Sequence, residues 1–258
     1  RDEQPPEEGL RVDLGAAGAM TTPVALVVVL LVLVANNAWV HLGPSRSHLL
    51  TGPLAALLLL LVGRAAGLTW EQLGLGRQTL LSGVVTGVVA AVAVAVVYAV
   101  GMAIPFTRKV FRDTRYRIGL RTALYLALVA IPVGTVLFEE VAFRGVLWGL
   151  LSRDLGVSLA TLVSACIFGL WHVLPALDLA RTNTSVQGQT PGSRRVAVTV
   201  LATAAFTALA GIVFAELRRR SGSLAAPIGL HWATNGLGVL AAAHVWAADT
   251  TDSAAPET

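Results

Sequence analysis

Leu137-Phe138-Glu139-Glu140-Val141-Ala142-Phe143-Arg144, LFEEVAFR, stands inside an apolar run that extends from Leu120 to Leu151. A helix crosses the hydrocarbon core of a bilayer in about 20 mostly apolar residues, so this run is membrane-grade. Two adjacent carboxylates and a guanidinium within it need a reason. The rest of the chain agrees with a membrane setting: of 258 residues, 55% are hydrophobic and only 13% charged, with a mean hydropathy of +0.71. A soluble domain carries roughly 25% charged residues. Aromatic residues make up 6% of the chain, and the apolar content is mostly Ala, Val and Leu. That suits packed helices better than the alternating strands of an outer-membrane barrel. The expected fold is all-α, a polytopic transmembrane helical bundle of seven or eight helices.

The formal charge of +4 is small and spread over loops, which describes juxtamembrane arginine rather than a nucleic-acid surface. The lipid bilayer is the expected partner and nucleic acid is not. The single cysteine, Cys166, has no second cysteine in the chain to pair with.

Seven spans are expected, at about Thr21–Val40, His48–Leu68, Leu80–Ile104, Leu120–Leu151, Gly156–Leu177, Val196–Leu217 and Ser223–Ala247. The fourth is too long for one straight crossing and should tilt, kink near Pro132 or split, which gives the count of eight. The transmembrane domain is thus 20–247, flanked by flexible polar tails at 1–19 and 248–258. The polar stretch Asp178–Arg195, DLARTNTSVQGQTPGSRR, reads as a spacer loop. Between the third and fourth spans, RKVFRDTRYRIGLR carries six Lys/Arg and one acid and reads as a headgroup anchor.

Ionisable groups deep in a bilayer cost several kcal/mol and mark functional positions. Five stand out: Glu139, Glu140, Arg144, His172 and His231. Residues four apart share a helical face, so Glu140 and Arg144 form an expected ion pair. Glu139, turned about 100° away, is left free to act. Phe168 and His172 are four apart in CIFGLWHV, and His231 and Asn235 are four apart in PIGLHWATNGLG. A buried polar network that only clamps helices is the alternative for each of these groups. Depth argues for convergence. At about 1.5 Å per residue from one membrane face, Glu139 lies roughly 18 Å in, His172 roughly 24 Å, His231 roughly 12 Å and Asn235 roughly 18 Å. Three helices of alternating direction thereby place polar groups near mid-membrane, as one shared site requires.

EEVAFRG, FGLWH and GSLAAPIGLHWATN resemble the three signature motifs of the CPBP family, the CAAX-prenyl proteases and bacteriocin-processing proteins also called Abi. The weaker TWEQLGLGR is similar to a segment that often precedes the family's core, so the likeness runs from about Trp70 to Leu240, with the core at about 120–240. The resemblance implies an intramembrane endopeptidase that hydrolyses a peptide bond of a membrane-associated protein or peptide. It implies a multi-pass protein of the cytoplasmic membrane of a bacterium. On this reading Glu139 is the base that activates water, His172 orients that water, and His231 and Asn235 stabilise the oxyanion. Glu140, Arg144 and Phe168 support them. No cofactor is expected. The alternative is a zinc enzyme with Glu139, His172 and His231 as ligands, and Asn235 speaks against it as a poor zinc ligand. Outside catalysis, the rival is a family-shaped scaffold or immunity partner for another membrane protein. A small transporter fits less well, because the ionisable residues form one cluster without broken-helix repeats.

Overall fold

The computed structural model describes residues 20–43, 47–182 and 192–252. The tail expected at 1–19, residues 253–258 of the tail expected at 248–258, and the centre of the polar loop at 183–191 lie outside the described residues, while 248–252 continue the last helix instead of starting a tail. Among the described residues all regular structure is helical. The long helices are α1 (Thr22–Leu42), α2 (His48–Ala65), α3 (Arg77–Ala103) and α4 (Leu120–Leu155). They are followed by α5 (Val157–Trp171), α6 (Val173–Thr182), α7 (Gly192–Ser221) and α8 (225–252). Short helical turns at Pro105–Arg108, Lys109–Phe111 and Thr114–Tyr116 carry the basic connection between α3 and α4.

Six of these segments are long and apolar enough to cross a membrane: α1, α2, α3, α4, the α5–α6 pair and α7. The chain is an integral, multi-pass membrane protein. Helix α8 falls outside the six because His231, Thr234, Asn235 and His244 lower its hydropathy. The fourth span does not split, as one alternative expected. It continues from Leu120 to Leu155, and more than half of its most apolar stretch is buried inside the protein, against at most 28% for the other spans. Helix α4 is therefore the central post. The division falls in the next span instead, where the helix breaks at His172 and resumes at Val173. The spacer loop expected at Asp178–Arg195 is also shorter than supposed, since α6 runs to Thr182 and α7 begins at Gly192.

Helix α4 absorbs its length and its proline through wide turns. Leu126–Ala130, Pro132–Val136 and Val141–Leu147 are π-helical, and so is Ala233–Leu237 in α8. A π turn disturbs the regular ladder and leaves carbonyls in need of donors, which lipid cannot supply. Side chains from neighbouring helices supply them. Trp232 Nε1 donates to the Ala127 carbonyl at 2.8 Å, Ser164 Oγ to Phe143 at 2.9 Å and Tyr98 Oη to Thr234 at 3.0 Å. These bonds tie α8, α5 and α3 to the wide turns.

Close backbone contact does the rest, as it must where lipid is as apolar as the side chains. A Cβ on Gly229 of α8 would lie 2.7 Å from the Gly87 Cα of α3, and one on Gly52 of α2 would lie 2.7 Å from the Gly134 carbonyl of α4. The Thr69–Arg77 stretch is held by the end of α7. Arg218 Nη2 donates to the carbonyls of Glu71 and Gln72, and Leu224 N donates to Gly74. Gly74 sits at φ +80° with the Arg218 guanidinium against it, so a side chain fits neither the backbone nor the space.

Gly229→Ala is accordingly expected to cost about 1–3 kcal/mol of overpacking, read as a lowered melting temperature in detergent. Gly119→Ala, whose Cβ would meet nothing within 4 Å, should leave the melting temperature unchanged.

Candidate active site

The carboxylates of LFEEVAFR come from the heart of α4, and both are buried: Glu139 is 6% exposed and Glu140 not at all. The expected Glu140–Arg144 pair is present, with Arg144 Nη1 donating to Glu140 Oε1 at 3.0 Å. Arg144 is itself 1% exposed. Its guanidinium lies 4.0 Å from the ring centroid of Phe168 and 4.7 Å from that of Phe214. The aromatic faces stabilise a cation that lipid and protein have stripped of water. Phe168, expected as support, is thus a plate beneath the arginine. Its ring also meets His172 edge-on, with centroids 4.6 Å apart.

Glu140 does more than the sequence indicated. Its Oε1 also takes a 2.7 Å bond from His231 Nδ1. A charged carboxylate can only accept, so Nδ1 of His231 carries a proton. The ring is pinned further by stacking on Phe214, with centroids 5.0 Å apart. This orientation turns the other ring nitrogen toward Glu139, with Nε2 lying 3.8 Å from Glu139 Oε2.

Glu139 is oriented by a residue the sequence reading passed over. Trp171 Nε1 donates to Glu139 Oε1 at 3.0 Å, and the indole packs beside Phe138 and Phe143. Oε2 is buried without a hydrogen-bond partner. The only hint in the sequence was the position of Trp171 beside His172 in FGLWH, since an indole donor in an apolar helix needs an acceptor.

His172 occupies the break between α5 and α6. Its Nδ1 bonds the Phe168 carbonyl at 2.8 Å, which fixes the proton on Nδ1 and leaves Nε2 as an acceptor. Asn235 is exposed, lies on the π turn of α8, and its carboxamide makes no hydrogen bond among the described residues. A cavity of about 330 Å³ brings Glu139, Trp171, His172, Asn235 and Thr135 to one space. A second, more apolar cavity of about 500 Å³ is lined by Phe206, Phe214, Leu230, His231, His172 and Asn235. His172 and Asn235 border both. Glu139, His172 and Asn235 thus line the first cavity, and His172, Asn235 and His231 the second, with His231 turned toward the carboxylates.

A zinc ion would need Glu139, His172 and His231 to converge. Among the described residues no three His, Cys, Asp or Glu side chains are so placed, while Nδ1 of each ring is bonded, to Phe168 and to Glu140, which leaves Nε2 of each free.

Glu140→Gln and Arg144→Met should each cost about 3–5 kcal/mol, because either strands a buried charge. The double variant should regain most of that stability in thermal unfolding. Its activity should nonetheless stay down on the order of 10²-fold, because His231 then meets an amide that no longer enforces its tautomer. Stability losses that simply add would contradict the pairing.

In comparison with known proteins, residues 121–237 match the family described as Type II CAAX prenyl endopeptidase Rce1-like. The match contains every site residue named above. It leaves out α1, α2, α3 and the TWEQLGLGR stretch, where a weaker likeness was expected. No curated protein and no solved structure matches the chain.

Proposed function

We propose, on the match of residues 121–237 to the family described as Rce1-like type II CAAX prenyl endopeptidases, that the chain hydrolyses a peptide bond of a membrane-associated substrate by a metal-independent mechanism based on Glu139. The family match supports the reading of a CAAX-protease-like intramembrane endopeptidase. The observation that carries the mechanism is the unequal treatment of the two Glu139 oxygens. Oε1 is held by Trp171, while Oε2 is unpartnered and faces His231.

Water in the cavity gives a proton to the Glu139 carboxylate as its oxygen attacks the peptide carbonyl carbon. His172 Nε2 accepts from the second hydrogen of that water and aims its lone pair. The carbonyl oxygen becomes an oxyanion, received by the Asn235 carboxamide N–H and by His231 Nε2–H. With Nδ1–H committed to Glu140, His231 donates from Nε2 only when the ring holds both protons. Its charge and that of Arg144 then match the two carboxylates. Glu139 next returns the proton to the leaving nitrogen, the C–N bond breaks, and an acid and an amine remain. The more apolar cavity beside His231 and Asn235 supports a substrate that arrives with a lipid-like portion, and the one beside Glu139, lined by Asn36, Thr135, His172 and Asn235, supports its peptide portion.

The test uses purified protein in detergent with an internally quenched, farnesylated peptide ending in a CAAX sequence. Glu139→Gln should abolish cleavage with the melting temperature unchanged, since an amide oxygen still accepts from Trp171. Asn235→Ala should lower kcat by about 10²–10³ with KM little changed. Chelator treatment should leave the wild-type rate intact. Reversible loss of activity on chelation, with one zinc per chain restoring it, would replace this mechanism by the metal version. Undiminished cleavage by Glu139→Gln would remove Glu139 as the base.

A further inference from the structure

Helix α1 lies outside the segment that matches the family, yet it reaches the site. Its sequence, TPVALVVVLLVLVANNAWVHL, is apolar apart from its ends and the pair Asn36-Asn37. Two adjacent carboxamides within a spanning helix are costly unless each finds a polar partner. Asn37 has one: its Nδ2 donates to the Trp171 carbonyl at 3.1 Å, at the break where α5 ends. That bond fixes α1 against the residue that holds Glu139.

Asn36 has none. Ala25, Val29, Leu33 and Asn36 recur at helical spacing and are all buried, so Asn36 lies on the face of α1 that packs into the protein rather than on the face toward lipid. It is 8% exposed, and its side chain borders the same 330 Å³ cavity as Glu139, His172 and Asn235. Its carboxamide makes no hydrogen bond among the described residues. A buried amide that borders a cavity beside a carboxylate and bonds no group among the described residues is one whose partner enters the cavity.

On the reading of the protein as an endopeptidase, we infer that Asn36 is a substrate-binding residue, whose carboxamide hydrogen-bonds the main chain of the peptide held beside Glu139. An extended peptide offers a backbone N–H and a carbonyl at every residue, and a carboxamide has a donor and an acceptor with which to meet them. Asn36 and Asn235 reach the cavity from α1 and α8, on opposite sides of α4 in the chain. Asn235 meets the oxygen that becomes charged, whereas Asn36 meets a neighbouring peptide unit that does not change during the reaction. Its bond is therefore equally strong before and during catalysis, and its loss belongs in KM.

The test compares wild type, Asn36→Leu and Glu139→Gln on the farnesylated CAAX peptide, with cleavage kinetics, peptide binding by fluorescence anisotropy and thermal unfolding. Leucine keeps the volume and is at home in an apolar helix. Asn36→Leu should raise KM about tenfold with kcat within about twofold, weaken anisotropy binding by the same factor, and leave the melting temperature unchanged. Unchanged KM and binding would overturn the inference. So would a melting temperature that falls together with activity, which would mark Asn36 as structural, or a fall in kcat at constant KM. Wild-type protein that binds the peptide without cutting it would instead overturn the endopeptidase reading, and the anisotropy comparison would still decide Asn36.

Discussion

One carboxylate oxygen organises the centre of this protein. Glu140 Oε1 accepts from Arg144 within α4 and from His231 across to α8, in a place where Glu140 has no exposure at all. Each bond alone would be an ordinary buried contact, of doubtful net value once desolvation is counted. Together they convert an ion pair into a positioning device. Arg144 holds the carboxylate on its own helix, and the carboxylate holds the imidazole of another. The second imidazole nitrogen is thereby delivered to the side of Glu139 that has no other partner. Adjacent glutamates thus make unlike contacts because successive residues on a helix point about 100° apart.

The wide turns of α4 and α8 belong to the same design. Both helices carry site residues beside π turns, and the carbonyls those turns disturb are taken by Trp232, Ser164 and Tyr98. Irregular backbone at membrane depth survives only where protein satisfies it. The donors that do so also lock α3, α5 and α8 to the central helix, so the groups that stabilise the irregular turns also set the positions of the site residues. Close glycine contacts between α3 and α8 and between α2 and α4 leave little room for those positions to drift.

Much of this was legible in the sequence. Composition gave the membrane class and the all-helical architecture, and helical spacing gave the Glu140–Arg144 pair and the proximity of Phe168 to His172. The motifs EEVAFRG, FGLWH and HWATN pointed to the family. What stayed hidden depends on contacts between helices. Spacing along α4 cannot show that Glu140 also meets His231, which is 91 positions away, nor that Trp171 selects which oxygen of Glu139 is bound. The continuity of α4 past Pro132 was hidden because wide turns absorb a proline that would otherwise kink or break a helix. Helix α1 was read as an ordinary span, since two asparagines in an apolar helix have no meaning until the break at His172 exposes a carbonyl for one of them.

The central claim is that Glu139 cleaves peptide bonds within a membrane, and it can be tested without choosing a substrate. Membranes of cells expressing the wild-type chain or Glu139→Gln at equal levels would be compared by mass spectrometry of protein termini. The account predicts a defined set of new termini in membrane-associated proteins that is present with wild type and absent with the variant. Identical termini in the two membranes, with both proteins folded, would contradict it and favour a family-shaped scaffold.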